Sequence, residues 1–71
     1  MLRLRLQEIM DVQGTNARQV SLATGIRWNT VDDMAKNRAK AWSPENVEKI
    51  MQALGIEWIE DLIEYQKEQP E

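Results

Sequence analysis

Gly25 sits inside the stretch that most constrains this chain, NARQVSLATGIRWNTVDDMAK at residues 16–36. A residue without Cβ can take the left-handed conformation, end one helix and turn the chain tightly into the next. The helix before it is expected to start at Asn16, whose side chain can cap it, with Gln19 completing a capping box. Helical spacing then sends Val20 and Ala23 inward with Ile26, Val31 and Met34. Arg27, Trp28, Asn29, Asp32 and Asp33 are left on the outer face of the second helix.

Two short helices joined this way have the layout of a helix-turn-helix, whose second helix lies in the major groove and reads bases with its outer side chains. Composition narrows the alternatives. Seventy-one residues, 42% of them hydrophobic, make one small globular domain. Cysteine and histidine are both absent. That removes disulfides, the common zinc sites and the common nucleophile–base pairs, leaving carboxylates, lysines and Tyr65 as acids and bases. No enzyme, metal or cofactor is therefore expected, and a domain this short leaves no room for a separate small-molecule ligand sensor. The opening MLRLRLQEIM alternates charged and apolar residues, unlike a signal peptide, and no stretch approaches the roughly 20 apolar residues of a membrane span. A cytoplasmic protein with no membrane partner is the default.

The net charge is −3, but it is unevenly spread. Residues 1–42 hold seven Lys/Arg (Arg3, Arg5, Arg18, Arg27, Lys36, Arg38, Lys40) against four acids, or +3; residues 43–71 hold two against eight, or −6. Phosphates respond to the field within about one Debye length, roughly 8–10 Å, so a basic face can coexist with an acidic back.

Along the chain, Leu2, Leu6, Ile9, Met10 and Gln13 suggest a helix over 2–13 closed by Gly14, although Leu-Arg-Leu-Arg-Leu also fits a strand of period two. Asn37 is placed to end the helix after the turn in the left-handed region. Ser43-Pro44-Glu45 is a helix start, Val47, Ile50, Met51 and Leu54 form its apolar stripe, and Gly55 closes it. Trp58, Ile59, Leu62 and Ile63 suggest a fifth helix, ringed by Glu57, Glu60, Asp61 and Glu64. The expectation is an all-α, compact five-helix bundle over residues 1–66, with a polar, frayed tail at 67–71.

At this scale the chain resembles the Cro/repressor-type (XRE-like) helix-turn-helix family, the lambda repressor-like fold. The likeness spans residues 2–65. It rests on Leu2-Arg3-Leu4-Arg5-Leu6, Ala23-Thr24-Gly25-Ile26, Asn29-Thr30-Val31, Asp33-Met34, Glu48-Lys49-Ile50 through Ala53-Leu54-Gly55, and Asp61-Leu62-Ile63-Glu64. The resemblance implies a binder of double-stranded operator DNA, commonly a homodimer, in prokaryotes or their phages. It implies base contacts from Trp28, Asn29 and Asp33, with Asp32 nearby, and backbone contacts from Asn16, Ala17, Arg27, Arg38 and Lys40. Three positions depart from the family: Ala17 replaces a frequent Gln, Arg27 replaces a Ser or Thr cap, and Asp32 with Asp33 puts acid on the DNA-facing helix.

Each candidate also has a plainer use. Arg27 can grip phosphate or guanine, or pair with a surface acid; Asn29 can pair with adenine, or bond locally. Trp28 suits DNA, an edge of the core, or a protein partner. Trp42 is placed to pack, and Trp58 is either core or a dimer surface. Arg38 and Lys40 suit phosphates, whereas Asp32 and Lys36 form an ordinary i, i+4 pair. Arg3 and Arg5 are either solvated or paired with the acidic half. The favoured expectation is a sequence-specific, repressor-like transcriptional regulator. The alternative is a protein-interaction module, such as an antitoxin or adaptor, using an acidic fifth helix and exposed tryptophans.

Overall fold

The computed structural model describes residues 2–67. Its elements run β1 (Leu2–Leu4), α1 (Leu6–Gln13), α2 (Ala17–Thr24), α3 (Trp28–Ala35), α4 (Pro44–Leu54), a 3-10 turn (Ile59–Asp61) and β2 (Ile63–Tyr65). The helix boundaries follow the local chemistry. α1, α2 and α4 each end at a glycine in the left-handed region. α3 gives way to Asn37, at φ 57° the one non-glycine residue of positive φ among those described. α4 begins with Pro44 in its first turn, and the Asn46 N–H donates to the Ser43 hydroxyl at 3.0 Å.

One core joins all of this. Leu4, Leu6, Met10, Val20, Ile26, Val31, Met34, Ala35, Val47, Ile50, Leu54 and Leu62 are buried, and no charged residue is buried among those described. α2 packs on both α3 and α4, and α3 also leans on α1. Trp42 lies against this core, as its position before α4 suggests. Ala23 does not face inward as expected: it is exposed, in a shallow depression shared with Gln19 of α2 and with Ala53 and Leu54 of α4. Its methyl is too short to close that gap, so Val20 alone of α2 is buried.

The five-helix expectation is corrected at both ends: the described residues form four α-helices and a two-stranded antiparallel sheet. At the start, period two wins over period 3.6. Leu4 is buried, Leu2 is 56% exposed, and α1 begins only at Leu6. At the other end, a helix would set Glu57 against Asp61 and Glu60 against Glu64 at i, i+4, and like charges at that spacing oppose a helix. The strand removes the conflict. Leu2, Arg3 and Leu4 pair with Tyr65, Glu64 and Ile63. Glu64 thereby meets Arg3 at 4.0 Å and Arg5 at 3.8 Å. Arg3 and Arg5 are thus paired with the acidic half, one of their two expected uses.

The sheet is tied to α3 by a single side chain. The Leu4 N–H donates to Asn37 Oδ1 at 2.7 Å, and Asn37 Nδ2 donates to the Leu4 carbonyl at 3.0 Å. The amide of Asn37 therefore stands where a neighbouring strand's peptide group would. Beyond Lys67, the expected frayed tail lies outside the described residues. Among the described residues, no helix is long and apolar enough to cross a membrane.

Asn37→Gly keeps the left-handed backbone and deletes both bonds to Leu4. Urea unfolding should show a loss of about 1–3 kcal/mol; an unchanged midpoint would mean the clamp is redundant. Met34→Asp places an unpaired carboxylate in the core at a cost of several kcal/mol and should abolish the cooperative helical circular-dichroism transition.

Candidate nucleic-acid interface

The turn between α2 and α3 is held by more than its glycine. Asn16 caps α2, its Oδ1 accepting the Gln19 N–H at 2.9 Å. The reciprocal half of the expected capping box does not form, because the Thr15 hydroxyl donates to Gln19 Oε1 at 2.7 Å. At the far end Gly25, at φ 78°, donates its N–H to the Ser21 carbonyl at 2.9 Å. The Ser21 hydroxyl donates to the Ile26 carbonyl. The Thr24 hydroxyl donates to the Val20 carbonyl at 2.7 Å and accepts the Ile26 N–H at 3.2 Å. Ile26 is then buried, which sets the angle at which α3 departs. Sequence reasoning missed the part played by Ser21 and Thr24; two hydroxyls in the last turn before a helix-ending glycine were the available signal.

α3 starts at Trp28 with Arg27 at its N-cap, which makes no side-chain capping bond. Val31, Met34 and Ala35 face the core. Arg27, Trp28 and Asn29 are exposed, Trp28 at 54% despite its size. They form a ridge at the N-terminal end of the helix, where unpaired backbone N–H groups and the helix dipole favour an anion.

The acids of α3 are already matched. Asp32 accepts from Lys36 Nζ at 3.2 Å and from Arg38 Nη2 at 2.9 Å, and its side chain is only 16% exposed. Arg38 Nη2 also reaches Asp33 at 3.1 Å. The Arg38 N–H donates to the Asp33 carbonyl at 2.8 Å, so backbone and guanidinium together close the end of α3. Two acids and two cations therefore balance locally. Among the described residues, Arg18, Arg27 and Lys40 make no ion pair and carry the uncompensated positive charge of this half.

The other sequence candidates are placed as follows. Asn16 is exposed but its carbonyl oxygen is engaged as a cap. Ala17, partly buried against the core, can offer only its N–H to a phosphate. Lys40 is exposed in the loop after α3. Arg18, which sequence reasoning did not single out, shares an open depression with Trp28. Its place one position past the start of α2 was the available signal.

The sequence model of the Cro/C1-type HTH DNA-binding domain matches residues 5–68. No curated protein and no solved structure matches the chain. The match covers most of the chain, which belongs to the Cro/C1-type helix-turn-helix DNA-binding family.

A Cβ added at Gly25 would meet nothing within 4 Å, so Gly25→Ala isolates the backbone conformation from sterics. Thermal unfolding should report a loss of about 1–2 kcal/mol. A neutral result would show that the hydroxyl bonds alone hold the turn.

Proposed function

We propose that this Cro/C1-type chain is a sequence-specific, repressor-like regulator of transcription that acts by occupying duplex DNA, with α3 in the major groove. The observation that carries the reading is the exposed Arg27–Trp28–Asn29 ridge at the start of α3, with the unpaired cation Arg18 beside Trp28 and a second, Lys40, in the loop after α3. Asn29 has the bidentate geometry for adenine, and Trp28 has an apolar face for a thymine methyl or a sugar. Asp33 is half-exposed and held by Arg38, and its carboxylate can accept from cytosine N4.

Backbone phosphates fall to Arg27, Lys40, the N–H groups of Asn16 and Ala17, and the outer nitrogens of Arg38. Arg38 is the weakest of these, because two carboxylates compete for it. The same pairing supports DNA binding in a second way: Asp32 and Asp33 approach the duplex neutralised. No reacting group is needed, since occupancy alone excludes other proteins from the site. Such a regulator works where the DNA is, which fits the cytoplasm of a cell without a nucleus.

The test starts from a duplex selected from a random pool by the purified protein and followed by fluorescence anisotropy. Arg27→Ala and Asn29→Ala should each weaken binding by about 1–3 kcal/mol with helical content unchanged. Arg27→Ala should also reduce the slope of log K against log salt by about one. Selection that returns no preferred sequence, or equal affinity in both variants, would refute the assignment of this face.

A further inference from the structure

The loop that follows α3 folds back onto the helix. The Arg38 N–H donates to the Asp33 carbonyl at 2.8 Å, and the Ala39 N–H reaches the same oxygen at 3.4 Å. The backbone thereby fixes where the Arg38 side chain starts. Its guanidinium meets two carboxylates through one nitrogen: Nη2 lies 2.9 Å from Asp32 and 3.1 Å from Asp33. The two acids differ in setting. Asp32 is largely covered and also takes Lys36, so it is the inner anchor. The side chains of Asp33 and Arg38 are 48% and 57% exposed, so these two stand outward together. Asp33 lies at i+4 from Asn29 and continues the helix face that begins at the ridge.

Such a pair suits a base edge better than a phosphate. A phosphate drawn to Arg38 comes beside the exposed Asp33 carboxylate, which repels it. The edge of a base pair is neutral and sets donors beside acceptors, so it can engage both side chains at once. Nη2 is spent on the carboxylates. Among the described residues, Nε and Nη1 of Arg38 and the second oxygen of Asp33 make no hydrogen bond. The pair therefore offers a free acceptor next to free donors.

We propose, resting on the reading that α3 enters the major groove, that Asp33 and Arg38 read one C·G base pair as a unit. Asp33 accepts from cytosine N4 while Arg38 donates to the guanine of the same pair. This gives the outer nitrogens of Arg38 a base in place of a phosphate and makes Arg38 a specificity-determining residue. In the major groove a C·G pair sets the cytosine N4 donor beside the guanine acceptors O6 and N7. An A·T pair also sets a donor beside an acceptor, but its thymine methyl group would lie against the charged side chains. Asp32 acts through Arg38, holding the guanidinium at the helix end.

The test compares the duplex selected by the parent protein with duplexes in which each C·G pair is exchanged in turn for the other three pairs. At one such pair the parent should lose about tenfold in affinity on exchange. Arg38→Ala and Asp33→Asn should each lose that preference at the same pair, keep the preferences elsewhere, and retain the parent's helical content. The double variant should bind no more weakly than the weaker single one, because the two side chains act together. Arg38→Lys keeps the charge but not the planar fork, and should relax the same preference. The slope of log K against log salt should be the same for Arg38→Ala as for the parent. A C·G preference that survives Arg38→Ala, with the slope smaller by about one, would return Arg38 to the backbone and overturn the proposal while leaving DNA reading by α3 intact. A pool that yields no preferred sequence would overturn both.

Discussion

The double hydrogen bond between Asn37 and Leu4 is the contact on which the arrangement of this small domain depends. Asn37 sits in the left-handed region just past α3, where its short polar side chain tolerates a positive φ that most residues resist. Because its amide is then aimed at β1, ending the helix and anchoring the sheet become one event. The sheet in turn carries Leu4, and the chain beside it Leu6 and Leu62, into the core beneath α3. A domain of this size has little apolar area to spare, so a connection that joins its two termini to the helix presented to solvent matters more than it would in a larger protein.

The electrostatics follow the same economy. A chain with net charge −3 would be a poor match for a polyanion if its charges were mixed evenly. Here Glu64 is occupied by Arg3 and Arg5 at the sheet, and Asp32 and Asp33 are occupied by Lys36 and Arg38 at the end of α3. What remains unpaired around the helix-turn-helix is positive. The remaining acids of the described residues lie on α1 (Glu8, Asp11), on α4 (Glu45, Glu48) and from Glu57 to the 3-10 turn. Exposed ion pairs of this kind contribute little to stability. Their consequence is to decide which charges are left for a ligand.

Much of this was legible in the residues. Gly25, the Asn16 cap, Asn37 and Ser43-Pro44 are local signals whose physics needs no partner, and each acts where it stands in the sequence. The strands were not legible, because their stability is non-local. Leu2–Leu4 and Ile63–Tyr65 are each too short to show a decisive period, and they become strands only by meeting one another across nearly the whole chain. The apolar stripe from Trp58 to Ile63 reads as helix until the repulsion between its acids is weighed. At the interface, Arg27, Trp28 and Asn29 could be placed outward from spacing alone. The engagement of Arg38 and the isolation of Arg18 could not, since both depend on which cation folds back onto an acid.

The central claim is that the ridge from Arg27 to Asn29 is the surface that meets DNA. Titrating ¹⁵N-labelled protein with its selected duplex and following each amide by NMR tests this most directly. The account predicts the largest shifts at Arg27, Trp28 and Asn29, with further changes at Arg18 and Lys40. Shifts confined to β2, the 3-10 turn and α4, with the ridge unmoved, would contradict it.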